Sequence, residues 1–268
     1  MINFTSQQLY TWVAMFIWPT TRILGLLAIA PPFGSASVPM LVKVMLGIAI
    51  ALLIAPDVPI PAALEPMSMA GLLILAQQLV IGLSMGFAMR IVFAAVEAAG
   101  ELTSSTMGLS FAAFFDPQTQ GRTSAVSQVF SLLATMVFLS LNGHLILLSV
   151  MAESFHTLPI TALPVTAEGF HGVALWGARV FSMGLQLSLP LLIALLITNF
   201  ALGILTRAAP QLNLFGIGFS ITMLAGFILI GVSLPYMLTP LQHFLSDGIE
   251  MVRKLGSMPT IGAPPPKP

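Results

Sequence analysis

Met69-Ala-Gly-Leu-Leu-Ile-Leu-Ala-Gln-Gln-Leu-Val-Ile-Gly-Leu-Ser-Met-Gly-Phe-Ala-Met89 contains no charged side chain. A stretch this apolar has no solvated face, and a helix is its natural form. In lipid an open strand leaves backbone groups unpaired, and the alternating pattern of a membrane barrel is missing. Five segments of the same kind surround it: Leu9 to Ala30, Leu41 to Ala55, Val126 to Met151, Val173 to Leu205 and Leu214 to Leu238. The expected fold is an all-α membrane protein of about six to seven hydrophobic helices, in one polytopic domain over residues 1–256. Residues 257–268 end in Ala263-Pro-Pro-Pro-Lys-Pro268 and read as a disordered Pro-rich tail.

Composition supports the same class. The chain is 57% hydrophobic and 7% charged, with a mean hydropathy of +1.00, whereas soluble domains carry about a quarter charged residues. Nine Lys and Arg balance nine Asp and Glu, so no basic field attracts nucleic acid. Cysteine is absent, which excludes thiolate metal sites and a Cys nucleophile. Met1 to Tyr10 lacks a basic n-region, so the N-terminus is expected to stay in the mature protein.

Segment lengths and charges argue against simple spans. Leu41 to Ala55 would cover only about 22 Å of a hydrocarbon core about 30 Å thick. Val173 to Leu205 would cover about 50 Å and contains Pro190, which predicts a hairpin or a bent helix. Pro19 and Arg22 in the first segment, and Asn142, Gly143 and His144 in the fourth, are awkward against lipid and predict helices that face protein. Arg22, Lys43, Arg90, Arg122 and Arg207 fall at odd connections, which favours an outside N-terminus. Six plain spans would then strand the basic Arg253 and Lys254 outside as well, so irregular insertion is expected.

The richest chemistry follows Met89. Arg90-Ile-Val-Phe-Ala-Ala-Val-Glu97-Ala-Ala-Gly-Glu101 places Arg90, Glu97 and Glu101 on one helical face. Glu97 and Glu101 repel at i,i+4, so something has to stabilise the second carboxylate. An interface salt-bridge network is the expectation, with a titrating pair as the alternative. The next stretch, Met107-Gly-Leu-Ser-Phe-Ala-Ala-Phe-Phe-Asp-Pro-Gln118, is bulky, apolar and glycine-hinged. It reads equally as an obstruction in a lumen or as an ordinary packed loop. Gly82 and Gly86 form a GxxxG pair that permits close helix approach. The histidines at 144, 156, 171 and 243 have no zinc-ligand spacing, and no nucleotide-binding or nucleophile-elbow motif appears. No cofactor or metal is expected.

Three stretches together resemble the FliR/SctT family of type III export-gate proteins. They are Arg22-Ile-Leu-Gly-Leu-Leu-Ala-Ile-Ala-Pro-Pro-Phe-Gly34, the run from Met107 to Gln118, and Arg207-Ala-Ala-Pro-Gln-Leu-Asn-Leu-Phe-Gly-Ile-Gly-Phe219. The last favours the flagellar branch. The resemblance implies a non-enzymatic subunit of a hetero-oligomeric export gate in the bacterial inner membrane, at the flagellar basal body. It implies FliP and FliQ as fellow subunits, contact with FlhB, and unfolded flagellar export substrates as cargo. In such gates the helices wind into a closed assembly around a central conduit, lifted largely out of the bilayer plane, so that apolar faces bury against neighbours instead of lipid, with membrane lipid a further partner. It also implies a plug closing that conduit, carried here by Met107, Gly108, Leu109, Phe111, Phe114 and Phe115, with Gly108 as hinge.

Two rival classes make different demands. A secondary transporter with broken helices should show two corresponding halves with paired midspan charges, and the later helices have no counterpart of Glu97 and Glu101. An intramembrane hydrolase would have to use His144 with Ser140 or Ser149, and no third orienting group is in sight.

Overall fold

The computed structural model describes residues 6–59, 65–109, 124–161, 167–208 and 214–258, and every regular element among them is helical. The helices are α1 (Ser6–Ile29), α2 (Met40–Ile54), α3 (Met69–Thr106), α4 (Ala125–Ser140), α5 (Gly143–Thr157), α6 (Ala167–Gly177), α7 (Arg179–Ala208) and α8 (Leu214–Leu255). By length and apolar composition five helical runs could cross a membrane, and the bent α4–α5 pair would make a sixth.

The apolar segments all become helices, but their ends shift for local reasons. The third does not stop at Met89, because the Ala- and Glu-rich sequence that follows keeps α3 helical to Thr106. The sixth likewise runs beyond Leu238 to Leu255, through Pro235 and Pro240. A 3-10 turn, Ala55–Asp57, lengthens the second to an 18-residue run, enough to cross on length where the segment alone was too short. The fourth breaks at Asn142, which takes φ 54°, and α4 and α5 diverge by 66°. Asparagine tolerates that left-handed conformation better than most residues. With the helix broken there, Ser140 and His144 are not in i,i+4 register, and Ser140 Oγ donates to the Val137 carbonyl instead. The fifth is no hairpin: α7 is a single helix through Pro190.

The chain forms two compact units. The first comprises Met1–Ile91, Asn142–Gly177 and Ser246–Pro268, and so holds α1, α2, the first part of α3, α5, α6 and the end of α8. Its core includes Trp18, Ile23, Leu26 and Leu27 of α1, Ile74 and Met85 of α3, and Met151 and Phe155 of α5. Glycines bring α1 and α3 together. A Cβ on Gly82 would collide with the Arg22 carbonyl, one on Gly86 would lie 2.7 Å from the Leu26 carbonyl oxygen, and one on Gly25 3.0 Å from that of Leu79. Such close approach maximises dispersion contact where no hydrophobic drive separates helix from lipid. Pro19 removes a backbone donor from α1, and the hydroxyls of Thr20 and Thr21 donate to the Phe16 and Ile17 carbonyls at 2.6 and 2.8 Å.

Arg22 is wholly buried in this unit. Its Nε donates to Gln78 Oε1 at 2.7 Å, one terminal nitrogen to the carbonyl and hydroxyl of Ser154 at 2.9 and 3.1 Å, and the other to the Leu158 carbonyl at 3.0 Å. The guanidinium thereby caps the C-terminal end of α5, where the helix dipole favours a cation; the Ser154 carbonyl also accepts the Leu158 amide at 2.9 Å. Thr157 Oγ1 donates to the Gly256 carbonyl beyond α8, and His156 meets Asp57 at 3.0 Å. The end of α5 is therefore tied to α1, α3, the 3-10 turn and the residues after α8. Trp176 of α6 donates from Nε1 to the Ala88 carbonyl of α3 at 3.0 Å.

The second unit comprises Val92–Leu141 and Ala178–Leu245, with the later part of α3, α4, α7 and most of α8. Phe93 and Phe138 meet edge to face at 5.9 Å between centroids. A Cβ on Gly184 of α7 would lie 3.0 Å from the Ala95 carbonyl oxygen, so α7 also crosses α3 closely. A cavity of about 330 Å³ remains between α3, α4, α7 and α8, lined by apolar side chains that include Val96, Phe130, Leu187, Pro235 and Leu241. Outer faces stay bare. In the most apolar stretch of α3, 61% of the residues are buried, against 11% in the most apolar stretches of the runs His171–Ala208 and Gly218–Leu255.

Candidate functional site: the end of α3 and the start of α4

α3 ends at Thr106, and the termination is specific. The Met107 amide still donates to the Thr103 carbonyl at 3.0 Å, and the Gly108 amide to that of Ser105 at 3.0 Å. Gly108 then adopts φ 86°, a left-handed conformation that side chains resist and glycine accepts freely. The last carbonyls of a helix need partners from elsewhere. Asn199 of α7 donates from Nδ2 to the Thr106 carbonyl, and Thr222 of α8 donates from Oγ1 to that of Met107, both at 3.3 Å.

Met107 itself is fully buried. Its side chain fills the space opposite Gly226 of α8, where an added Cβ would lie 2.5 Å from Met107 Cε and 2.6 Å from Cγ. Two hydrogen bonds and one packed thioether therefore fix the point at which the chain leaves α3. Leu109 lies just beyond the turn, whereas Phe111, Phe114 and Phe115 fall outside the described residues.

The described chain resumes at Ser124, the N-cap of α4, whose Oγ accepts from the Ser127 amide at 3.2 Å. Its own amide donates to Glu101 Oε2 of α3 at 3.3 Å. Glu97 is half-buried and engaged nearby: its carbonyl accepts from Ser127 Oγ at 2.7 Å, and its carboxylate from Ser131 Oγ at 3.5 Å. Gly100 lets the two backbones meet, since a Cβ there would collide with Ser127 Cα. Glu97 and Glu101 thus turn to hydroxyls and an amide of α4. Arg90 is exposed, as is Glu101, while Gly82 and Gly86 lie buried against α1 in the first unit.

Sequence reasoning missed Ser124, Asn199, Thr222 and Gly226. Ser124 carried a readable signal, a serine just ahead of an apolar helical run. The others lie in apolar segments and gain meaning only from the residues opposite them. Arg22 was marked as a residue facing protein, but its partners are 56 to 136 positions away.

Comparison with known proteins follows the whole chain. Residues 13–248 match the profile of the bacterial export proteins, family 1. The chain is 40% identical over 252 residues to the flagellar biosynthetic protein FliR of Pectobacterium carotovorum subsp. carotovorum, covering 94% of this chain and 96% of that one. It is 39% identical over 247 residues to the FliR of Escherichia coli strain K12, covering 92% and 94%. The FliR of Bacillus subtilis strain 168 is 28% identical over 243 residues, covering 90% and 93%. With nearly its full length aligned in both directions, this chain belongs to the bacterial export proteins, family 1.

Proposed function

We propose that the chain is a structural, non-catalytic subunit of the flagellar type III protein export gate. It forms part of a closed conduit for unfolded export substrates across the bacterial inner membrane, at the flagellar basal body. FliP and FliQ are its fellow subunits and FlhB a contact. The FliR relatives and the family match support flagellar export. The bare apolar faces of α7 and α8, with Phe181, Leu196 and Phe200 exposed, suit burial against such subunits and lipid.

The observation that carries the conduit reading is the root of the loop: a rigid anchor at Met107 followed at once by a positive-φ glycine. A loop of bulky apolar side chains beyond it excludes water and ions and is still displaced by an entering polypeptide. Co-expression with FliP and FliQ, purification and intact mass determination in detergent should give one large mixed assembly. Shortening Met107 to Gln118 should leave that assembly intact while reconstituted vesicles become leaky to ions. A monomer or homodimer in the first measurement refutes the gate reading, and unchanged conductance in the second refutes the plug.

A further inference from the structure

The loop has a second root, and one carboxylate holds it. Glu101 and Ser124 are 23 positions apart, on either side of the segment proposed as plug, and are joined by Glu101 Oε2 accepting the Ser124 amide. We infer that Glu101 is a positioning residue for the gate: its carboxylate clasps the N-terminus of α4 to α3 and so fixes where the loop re-enters the helical framework. The inference rests on the plug reading and adds the residue that sets the loop's return point.

The local chemistry favours this pairing. In a capping box the N-cap amide is satisfied by a Glu or Gln three residues on, but that position in α4 is Ser127. Ser127 cannot reach back as a Glu would, and its hydroxyl is committed to the Glu97 carbonyl. Glu101, from another helix, takes the vacant role. It brings a negative charge to the end of α4 where the helix dipole favours one. Gly100 lets α3 and α4 touch beside it, so the clasp joins surfaces already in contact. Glu101 is exposed, so it contributes little to the core, and its effect falls on the root of the loop.

The test uses the full complex with FliP and FliQ and three variants: Glu101→Ala, Glu101→Gln and a loop shortened between Met107 and Gln118. Gln keeps an acceptor of the same reach, and Ala removes it. Hydrogen exchange at the Ser124–Gln128 amides should rise about fivefold in Glu101→Ala, as expected for loss of one hydrogen bond, and stay within about twofold of wild type in Glu101→Gln. Ion leak in vesicles should rise in Glu101→Ala and remain near wild type in Glu101→Gln, with intact mass unchanged. Unaltered exchange in Glu101→Ala overturns the clasp. Raised exchange with wild-type leak, where the shortened loop does leak, overturns its role in positioning. If the shortened loop itself does not leak, the plug reading fails and the gating role falls with it, while exchange still decides the clasp.

Discussion

The guanidinium carbon of Arg22 stands 4.4 Å from the centroid of the Phe155 ring, while its nitrogens hold the carbonyls of Ser154 and Leu158 on either side of that ring in sequence. One planar cation thus engages the Phe155 ring, the Ser154 hydroxyl and two backbone carbonyls at the end of α5, with Gln78 as a fifth partner. Its described hydrogen-bond partners are neutral oxygens, so the geometry of the fork, and not ion pairing, makes the site work.

Lysine cannot reproduce that fork. Arg22→Lys should lower the midpoint of thermal unfolding of the detergent-solubilised assembly and reduce its yield, and Arg22→Ala should do so more strongly. The loss for Ala is on the order of 3 kcal/mol, because buried acceptors lose their donor and the missing side chain leaves a cavity. Thermal unfolding followed by fluorescence checks the ranking, and a Lys variant as stable as wild type contradicts it.

Glycines differ sharply in what surrounds them. Gly82→Ala would drive a methyl group into the Arg22 carbonyl, whereas Gly203 and Gly231 have open space where a Cβ would sit. Gly82→Ala should therefore separate α1 from α3 and cut accumulation of the chain severalfold. Gly203→Ala should leave accumulation unchanged or gain up to about 1 kcal/mol from helix propensity. Immunoblotting of membranes compares the two variants with wild type directly.

Gly108 is held at positive φ, so replacement strains the backbone by about 1 to 2 kcal/mol for most side chains. Gly108→Val should leak ions in reconstituted vesicles more than Gly108→Asn, because asparagine accepts left-handed conformations. Equal leak in the two variants would mean that the turn does not set the path of the loop.

Met107 and Gly226 compete for one volume. Gly226→Ala should destabilise the loop root, and adding Met107→Ala should relieve the overlap, giving a coupling of about 1 kcal/mol in a double-mutant cycle. Additive effects on thermal unfolding would contradict the contact.

Much of the fold was legible because apolar runs in an almost uncharged chain leave few alternatives to helices. Met69 to Met89 reads directly, but the continuation to Thr106 does not, since Arg90, Glu97 and Glu101 dilute hydropathy while the alanines between them keep helix propensity high. Asn142 reads only as awkward against lipid, and the break of the helix there, at a left-handed φ of 54°, is not foreseen. Pro190 looks disruptive, yet α7 continues through it. At the loop, Met107 and Gly108 stand out by type and order. Their anchors Asn199 and Thr222 do not, because a polar residue on an apolar helix gives no clue to the carbonyl it will meet. The stabiliser demanded by the second carboxylate of the Glu97–Glu101 pair is the Ser124 amide, a group every residue but proline carries.

The low burial of α7 and α8 has a consequence for how a cell handles the protein. A newly synthesised copy buries much of α3 but presents long apolar flanks on α7 and α8 that lipid covers only where a helix lies in the bilayer. Until those flanks are occupied, the copy resembles an orphan subunit, the form that membrane quality-control proteases remove. Gene dosage then acts as a structural variable. Raising production of this chain alone should yield turnover products instead of mature protein, and its steady level should follow whichever neighbour is scarcest.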